Sequence, residues 1–144
     1  MQIVIDANTI LSGLFFPRNE RRLLVASLRG DLTLVYAEDV VDEVYAVIER
    51  AFHDHPDLEE ALARLESVLA AGVLVERRRY LKAIPRWSEQ LRDPEDAPVV
   101  GCADASGADG VVTGDRDILE SRGLEGIPRY RTRELLKLLG LARK

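Results

Sequence analysis

Four carboxylates, Asp6, Glu43, Asp96 and Asp115, stand where apolar stretches would aim them at one place. Asp6 directly follows the run Ile3-Val4-Ile5, and Asp115 follows Val111-Val112-Thr113-Gly114. An acid at the end of a buried strand lies at the sheet edge where open α/β proteins bind ligands. Glu43 shares the spacing i, i+3, i+4, i+7 with Val40, Val44 and Val47, and Asp96 shares a similar one with Val99, Val100 and Ala103. That spacing places both acids on the core-facing stripe of a helix. Each acid taken singly has an ordinary explanation: a helix cap for Asp96, an arginine partner for Glu43, turn amides for Asp6. Taken together they repel, and each raises the others' pKa. A divalent cation resolves the repulsion, and an all-oxygen donor set selects a hard ion such as Mg2+ or Mn2+. Ions of this kind activate water and stabilise charge at a scissile phosphate.

The elements that must position these acids alternate between strand-like and helix-like stretches, the pattern of an α/β fold with parallel strands. Strands are expected at Ile3–Ile5, Leu32–Tyr36, Val73–Val75, Gly110–Thr113 and Ile127–Tyr130. Helices are expected at Arg18–Leu28 with Gly30 as its stop, Glu38–Phe52, and Asp57–Ala71 stopped by Gly72. Further helices are expected at Asp96–Ser106, with Pro98 in its first turn, at Asp117–Arg122, and from a capping Thr132 to Leu139. Tyr80–Leu91 reads as a loop with a helical turn around Trp87, because Pro85 interrupts it. The stripe Leu58, Leu62, Leu65 and Leu69 is read as core in preference to a dimer interface.

The chain has 144 residues, 47% apolar and 31% charged, which suits one ordinary domain over residues 1–144. No apolar run approaches the length of a membrane span, and the first residues carry no signal-peptide pattern, so the reading is cytoplasmic. The single cysteine, Cys102, excludes an internal disulfide, and two histidines, His53 and His55, argue against zinc chemistry built on Cys and His. The net charge of −5 argues against gripping nucleic acid by overall charge, although local basic patches remain open. Arg18 and Arg116 lie near the acids and are candidate substrate contacts. Arg77–Arg79 reads equally as a phosphate patch or as a strand end meeting water.

Several segments resemble the PIN-domain family, in particular the bacterial and archaeal toxins of toxin–antitoxin systems. Ile5-Asp6-Ala7-Asn8-Thr9 is similar to the family's strand-end Asp followed two places on by Asn, Ser or Thr. Asp42-Glu43-Val44 resembles the helical Glu. Arg92-Asp93-Pro94-Glu95-Asp96, followed by Val99-Val100 and Ala103, resembles the third acidic motif, and Val112-Thr113-Gly114-Asp115-Arg116-Asp117 the fourth. Asp93 and Asp96 compete for the third position; Asp96 is preferred because it shares the apolar stripe.

The resemblance implies a flavodoxin-like three-layer α/β/α sandwich and Mg2+- or Mn2+-dependent hydrolysis of phosphodiester bonds, usually in RNA. It further implies frequent homodimerisation and, for VapC-like relatives, an antitoxin partner. Carried onto this chain, Asp6, Glu43, Asp96 and Asp115 form the metal site, Asn8 and Thr113 support them, and Asp117 is an additional outer acid. The runner-up is the same fold as a catalytically weak module that binds RNA or an antitoxin-like partner. Phosphoaspartyl chemistry is disfavoured because position 8 is Asn8 rather than a second acid. A nucleotide-binding Rossmann fold lacks its Gly-rich loop.

Overall fold

The computed structural model describes residues 1–124 and 126–142, so Glu125, Arg143 and Lys144 of the expected 1–144 domain lie outside the described residues. Five strands, β1 (Gln2–Ile5), β2 (Thr33–Ala37), β3 (Val73–Val75), β4 (Gly110–Val112) and β5 (Arg129–Tyr130), form one sheet in the order β3-β2-β1-β4-β5. Every neighbouring pair is parallel. The central strand is apolar throughout its buried length, with Ile3, Val4 and Ile5 fully inaccessible, as a strand covered on both faces must be.

The helices are α1 (Ala7–Phe15), α2 (Asn19–Leu28), α3 (Glu38–Ala51), α4 (Leu58–Ala71), α5 (Arg77–Tyr80), α6 (Ile84–Gln90), α7 (Ala97–Ser106), α8 (Arg116–Leu119) and α9 (Thr132–Leu138). They fall into two groups that sandwich the sheet: α1 packs with α2, α3 and α4, and α9 joins through α2, while α5 and α6 pack on α7. This is the expected α/β sandwich.

Four expectations need correction. Helix α1 was not expected, because Ala7–Phe15 is buried nearly all round and shows no polar face. Tyr80–Leu91 is helical over most of its length, because Pro85 falls in the first turn of α6, where its missing N–H costs nothing. Thr132 is the first residue of α9 rather than its cap; Arg131 precedes it, and its N–H donates to Glu134 Oε1 at 3.4 Å. The core face of α4 is Ala61, Leu65 and Val68, which leaves Leu62 of the expected leucine stripe exposed.

Close packing explains one glycine and backbone conformation another. A Cβ on Gly72 would lie 2.5 Å from the Leu34 carbonyl oxygen, so only glycine lets α4 turn into β3 beside β2. Gly107 closes α7 in the left-handed conformation at φ 66°, a frequent end for a helix. Among the described residues no helix is long and apolar enough to cross a membrane.

Candidate active site

The chain lays down β1, β2 and β3 toward one edge of the sheet, then returns to place β4 and β5 on the other side of β1. The strand order therefore reverses between β1 and β4, and the crevice at their carboxyl ends is where such folds bind ligands. Asp6 follows β1, and Thr113 and Asp115 follow β4. The register Ile5↔Val112, continued by one residue, sets Asp6 beside Thr113.

These three residues form one hydrogen-bonded unit. Asp6 Oδ1 caps α1 by accepting from the Thr9 N–H at 2.9 Å. The Thr113 hydroxyl donates to Asp6 Oδ2 and accepts from the Asp115 N–H at 2.9 Å. Asp115 Oδ1 in turn caps α8 by accepting from the Asp117 N–H at 2.8 Å. Thr113 is wholly buried and Asp6 is 8% exposed, so the unit is anchored in the core.

Around it opens a cleft of about 540 Å³. Seven of its twelve lining residues are acids: Asp6, Asp39, Glu43, Asp93, Glu95, Asp96 and Asp115. No lysine, arginine or histidine among the described residues lines it. Asp96 is in the most costly position. Its Oδ2 is buried with no hydrogen-bond partner. Burial first, then the adjacent Asp115 carboxylate and the charges of Asp93 and Asp6, push its pKa up to about 7. Protonation of Asp96 relieves this strain; while Asp96 is charged, its Oδ2 stands alone. Glu43 is also raised, by burial first and then by Glu95 and Asp6, with Arg50 opposing.

The structure corrects the expected weight of these acids. Glu43 is exposed at the rim; the buried positions of α3 are Val40, Val44 and Ile48, one turn-face away. Asp96 is half-buried just before α7, and Asp6 is the most buried of the four. Asp93 and Asp96 are not exclusive, since both line the cleft, and Asp93 Oδ1 also accepts from the Glu95 N–H at 3.0 Å.

Whether the donor set fits a divalent cation is decided by its chemistry. Clustered carboxylates with an orphaned, buried oxygen and no cation among them are what a hard divalent ion neutralises. Among the described residues, however, no three acids, histidines or cysteines already meet at ligating distance, so the carboxylates ring the cleft rather than converge.

Residues 2–117 match the family model described as PIN domain. The chain belongs to the PIN-domain family. Two solved structures share the PIN fold. One is VapBC2 from Rickettsia felis bound to a DNA fragment from their promoter, at 14% identity and TM-score 0.62, covering 90% of this chain and 99% of that one. The other is PAE2754 from Pyrobaculum aerophilum, at 18% identity and TM-score 0.63, covering 97% and 90%. No functionally curated protein matches.

The remaining expected residues of this PIN domain fall outside the acid cleft or at its border. Asn8 is exposed and lines both the cleft and the next depression. Asp117 faces a separate depression, where its carboxylate lies 3.4 Å from Arg92 Nη1, and it reaches the site only through its backbone N–H. Arg116 pairs with Glu120 at 3.3 Å outside the cleft. Arg18 is exposed beside Phe16, away from the acids.

Asp39 was missed, although it sits four residues before Glu43 and so on the same helical face. Its carboxylate accepts from the Tyr80 hydroxyl at 2.9 Å and pairs with Arg77, which also reaches Asp42 at 3.4 Å. Arg77 is thus tied to rim acids, and Arg78 pairs with Glu76 at 2.8 Å.

Proposed function

We propose that this chain is a metal-dependent endoribonuclease that hydrolyses RNA phosphodiester bonds, with Mg2+ or Mn2+ held by Asp6, Glu43, Asp96 and Asp115. The observation that carries this reading is the buried Asp96 oxygen, unpartnered among the described residues, in the wall of a cleft that they line with seven acids and no cation. A bound divalent ion would supply a nucleophilic water at neutral pH and offset charge at the phosphate. The chain's own residues do the rest. Thr113 and the Thr9 amide fix the Asp6 carboxylate in one orientation, Thr113 holds the Asp115 backbone beside it, and Asp96 keeps or releases a proton according to whether its charge is compensated.

Membership of the PIN family, whose members are generally nucleases, supports this reading. The likeness to VapBC2, a toxin–antitoxin assembly bound to promoter DNA, supports a role as the toxin of such a pair. In the same reading the whole chain acts as one nuclease domain in the cytoplasm, as a homodimer whose partners are RNA and an antitoxin. The test is cleavage of a labelled RNA with Mn2+ by the wild type and by Asp6→Asn. Loss of cleavage with the fold retained by circular dichroism is expected; undiminished cleavage by the variant would refute the assigned site.

One observation favours a second reading: the acids do not already converge. In that case the chain binds RNA or an antitoxin-like partner without cutting. Calorimetric titration with Mn2+ separates the two, since a module without catalysis needs no ion here.

A further inference from the structure

A second groove, of about 330 Å³, lies between α2 and α9. Its floor is apolar, from Val25, Ala26, Leu136 and Leu141, and its rim carries Arg18, Arg22 and Arg29, with Arg21 beside them held by the Gly13 and Leu14 carbonyls. Arg18 and Arg29 are the residues that flank α2 at its two ends and Arg22 lies within it; at 100° per residue the three positions fall within about 40° of one another. At 1.5 Å rise per residue they span about 16 Å along it. Arg22 donates to the Leu141 carbonyl and so fastens the end of the α9 segment to α2. Arg18, Arg29 and Arg133 are exposed, and among the described residues none of them forms an ion pair. In a chain of net charge −5, unpaired arginines gathered on one face call for an anionic partner.

The groove is also connected to the acid cleft. Arg22 and Leu136 continue into a smaller depression with Asn19 and Arg133. The next residues along the two helix starts, Glu20 and Thr132, line a further depression that includes Asn8 and Asp115. Asn8 and Asp115 are themselves part of the cleft wall. The depressions thus follow one another from the carboxylates across the starts of α2 and α9 to the arginine rim, the middle two adjoining through the sequence neighbours Asn19 and Glu20 and Thr132 and Arg133. On the other flank, Arg92 and Arg116 are engaged by Asp117 and Glu120, which leaves Arg122 as the one arginine of that depression without an ion pair among the described residues, against three on the α2–α9 side.

We infer that this path is the bed of a single-stranded RNA on one side of the scissile phosphate, with Arg18, Arg29 and Arg133 contacting its backbone. The inference rests on the ribonuclease reading for the identity of the strand. Guanidinium groups bind phosphate through paired donors, and bases tolerate an apolar floor. An acidic peptide would suit the arginines and the floor equally, and either anion is repelled by the uncompensated cleft acids; on the ribonuclease reading a bound divalent ion would offset the charge of a phosphate there. An RNA strand enters that cleft as the substrate. Glu20 is an acid beside the path, which gives a test of opposite sign.

The experiment is fluorescence anisotropy of a 5′-labelled single-stranded RNA of about 12 nucleotides, a length within the range such grooves cover. It uses the full chain in EDTA, so that cleavage plays no part. The Arg18→Gln/Arg29→Gln/Arg133→Gln variant is expected to bind at least tenfold more weakly. The slope of log affinity against log salt should fall by about 2, from about 0.7 per lost phosphate contact. Glu20→Gln should bind more tightly, and the remote pair Arg78→Gln/Arg86→Gln should bind as the wild type does.

Equal affinity and slope for the triple variant would overturn the path while leaving cleavage untouched. No RNA binding by the wild type would overturn it as well. Binding that is lost in the triple variant, in a wild type that cuts nothing with Mn2+, would uphold the path and sink the ribonuclease reading. A decaglutamate peptide that loses affinity in the triple variant while RNA does not would assign the groove to a protein and overturn the proposal.

Discussion

Replacing Asp96 by Asn should make the metal-free protein more stable at pH 8 while removing its response to Mn2+. The pKa of Asp96 rises from 3.8 to about 7, chiefly through burial and then through Asp115. At about 1.36 kcal/mol per unit this corresponds to roughly 4 kcal/mol of native-state penalty once both states are ionised. Asp96 is only half-buried, so solvent screening reduces the figure to ~2 kcal/mol. The sign follows from linkage: between pH 3.8 and about 7 the native state holds more protons than the unfolded chain, so stability falls as pH rises through this window.

Asparagine keeps the shape and removes the charge. At pH 8 in EDTA, Asp96→Asn should therefore melt about 6 °C above the wild type, at ~3 °C per kcal/mol for a chain of this size. The difference should narrow from pH 8 to pH 5 and vanish only below about pH 3.8, where the carboxyl is protonated in both states. Added Mn2+ should raise the wild-type midpoint at pH 8 and leave the variant unmoved. Circular-dichroism melts at the two pH values, with and without the ion, measure all of this. A variant that melts at or below the wild type at pH 8 in EDTA would refute the claim that Asp96 is held against its own repulsion.

Three other outcomes are expected. Thr113→Val removes the donor to Asp6 and the acceptor for the Asp115 amide, which should cost about 1–3 kcal/mol in denaturant melts. Thr113→Ser should restore most of that stability together with RNA cleavage. Gly72→Ala forces a Cβ to 2.5 Å from the Leu34 carbonyl oxygen and should destabilise by about 1–3 kcal/mol without altering metal affinity measured by calorimetry. Mn2+ affinity should rise from pH 5.5 to pH 8, because the ion needs Asp96 deprotonated and its pKa is pushed up to about 7; a flat profile would contradict that.

Much of this arrangement was legible in the residues because the chemistry and the core share the same strands. Ile3-Val4-Ile5 and Val111-Val112 announce buried parallel strands, and the acids that follow them fall at the reversal of strand order. What hid α1 was its burial: a helix surrounded by protein has no polar face to supply a period. Glu43 was misjudged for a related reason. A stripe defined by Val40, Val44 and Val47 is wide, and an acid on its margin lies at the rim while Ile48 takes the core position. The cooperation of Asp6, Thr113 and Asp115 depends on the register between β1 and β4, which joins residues 107 apart. Asp39 and Glu95 enter the cleft through helix placement, and their sequence context alone reads as ordinary acids at helix starts.

The most direct test of the metal-dependent site is anomalous X-ray scattering from crystals of this protein soaked in Mn2+ at pH 8. A Mn2+ peak within ligating distance of the Asp6, Asp96 and Asp115 carboxylates is expected. Strong Mn2+ peaks elsewhere on the molecule, with none in this cleft, would contradict the assignment.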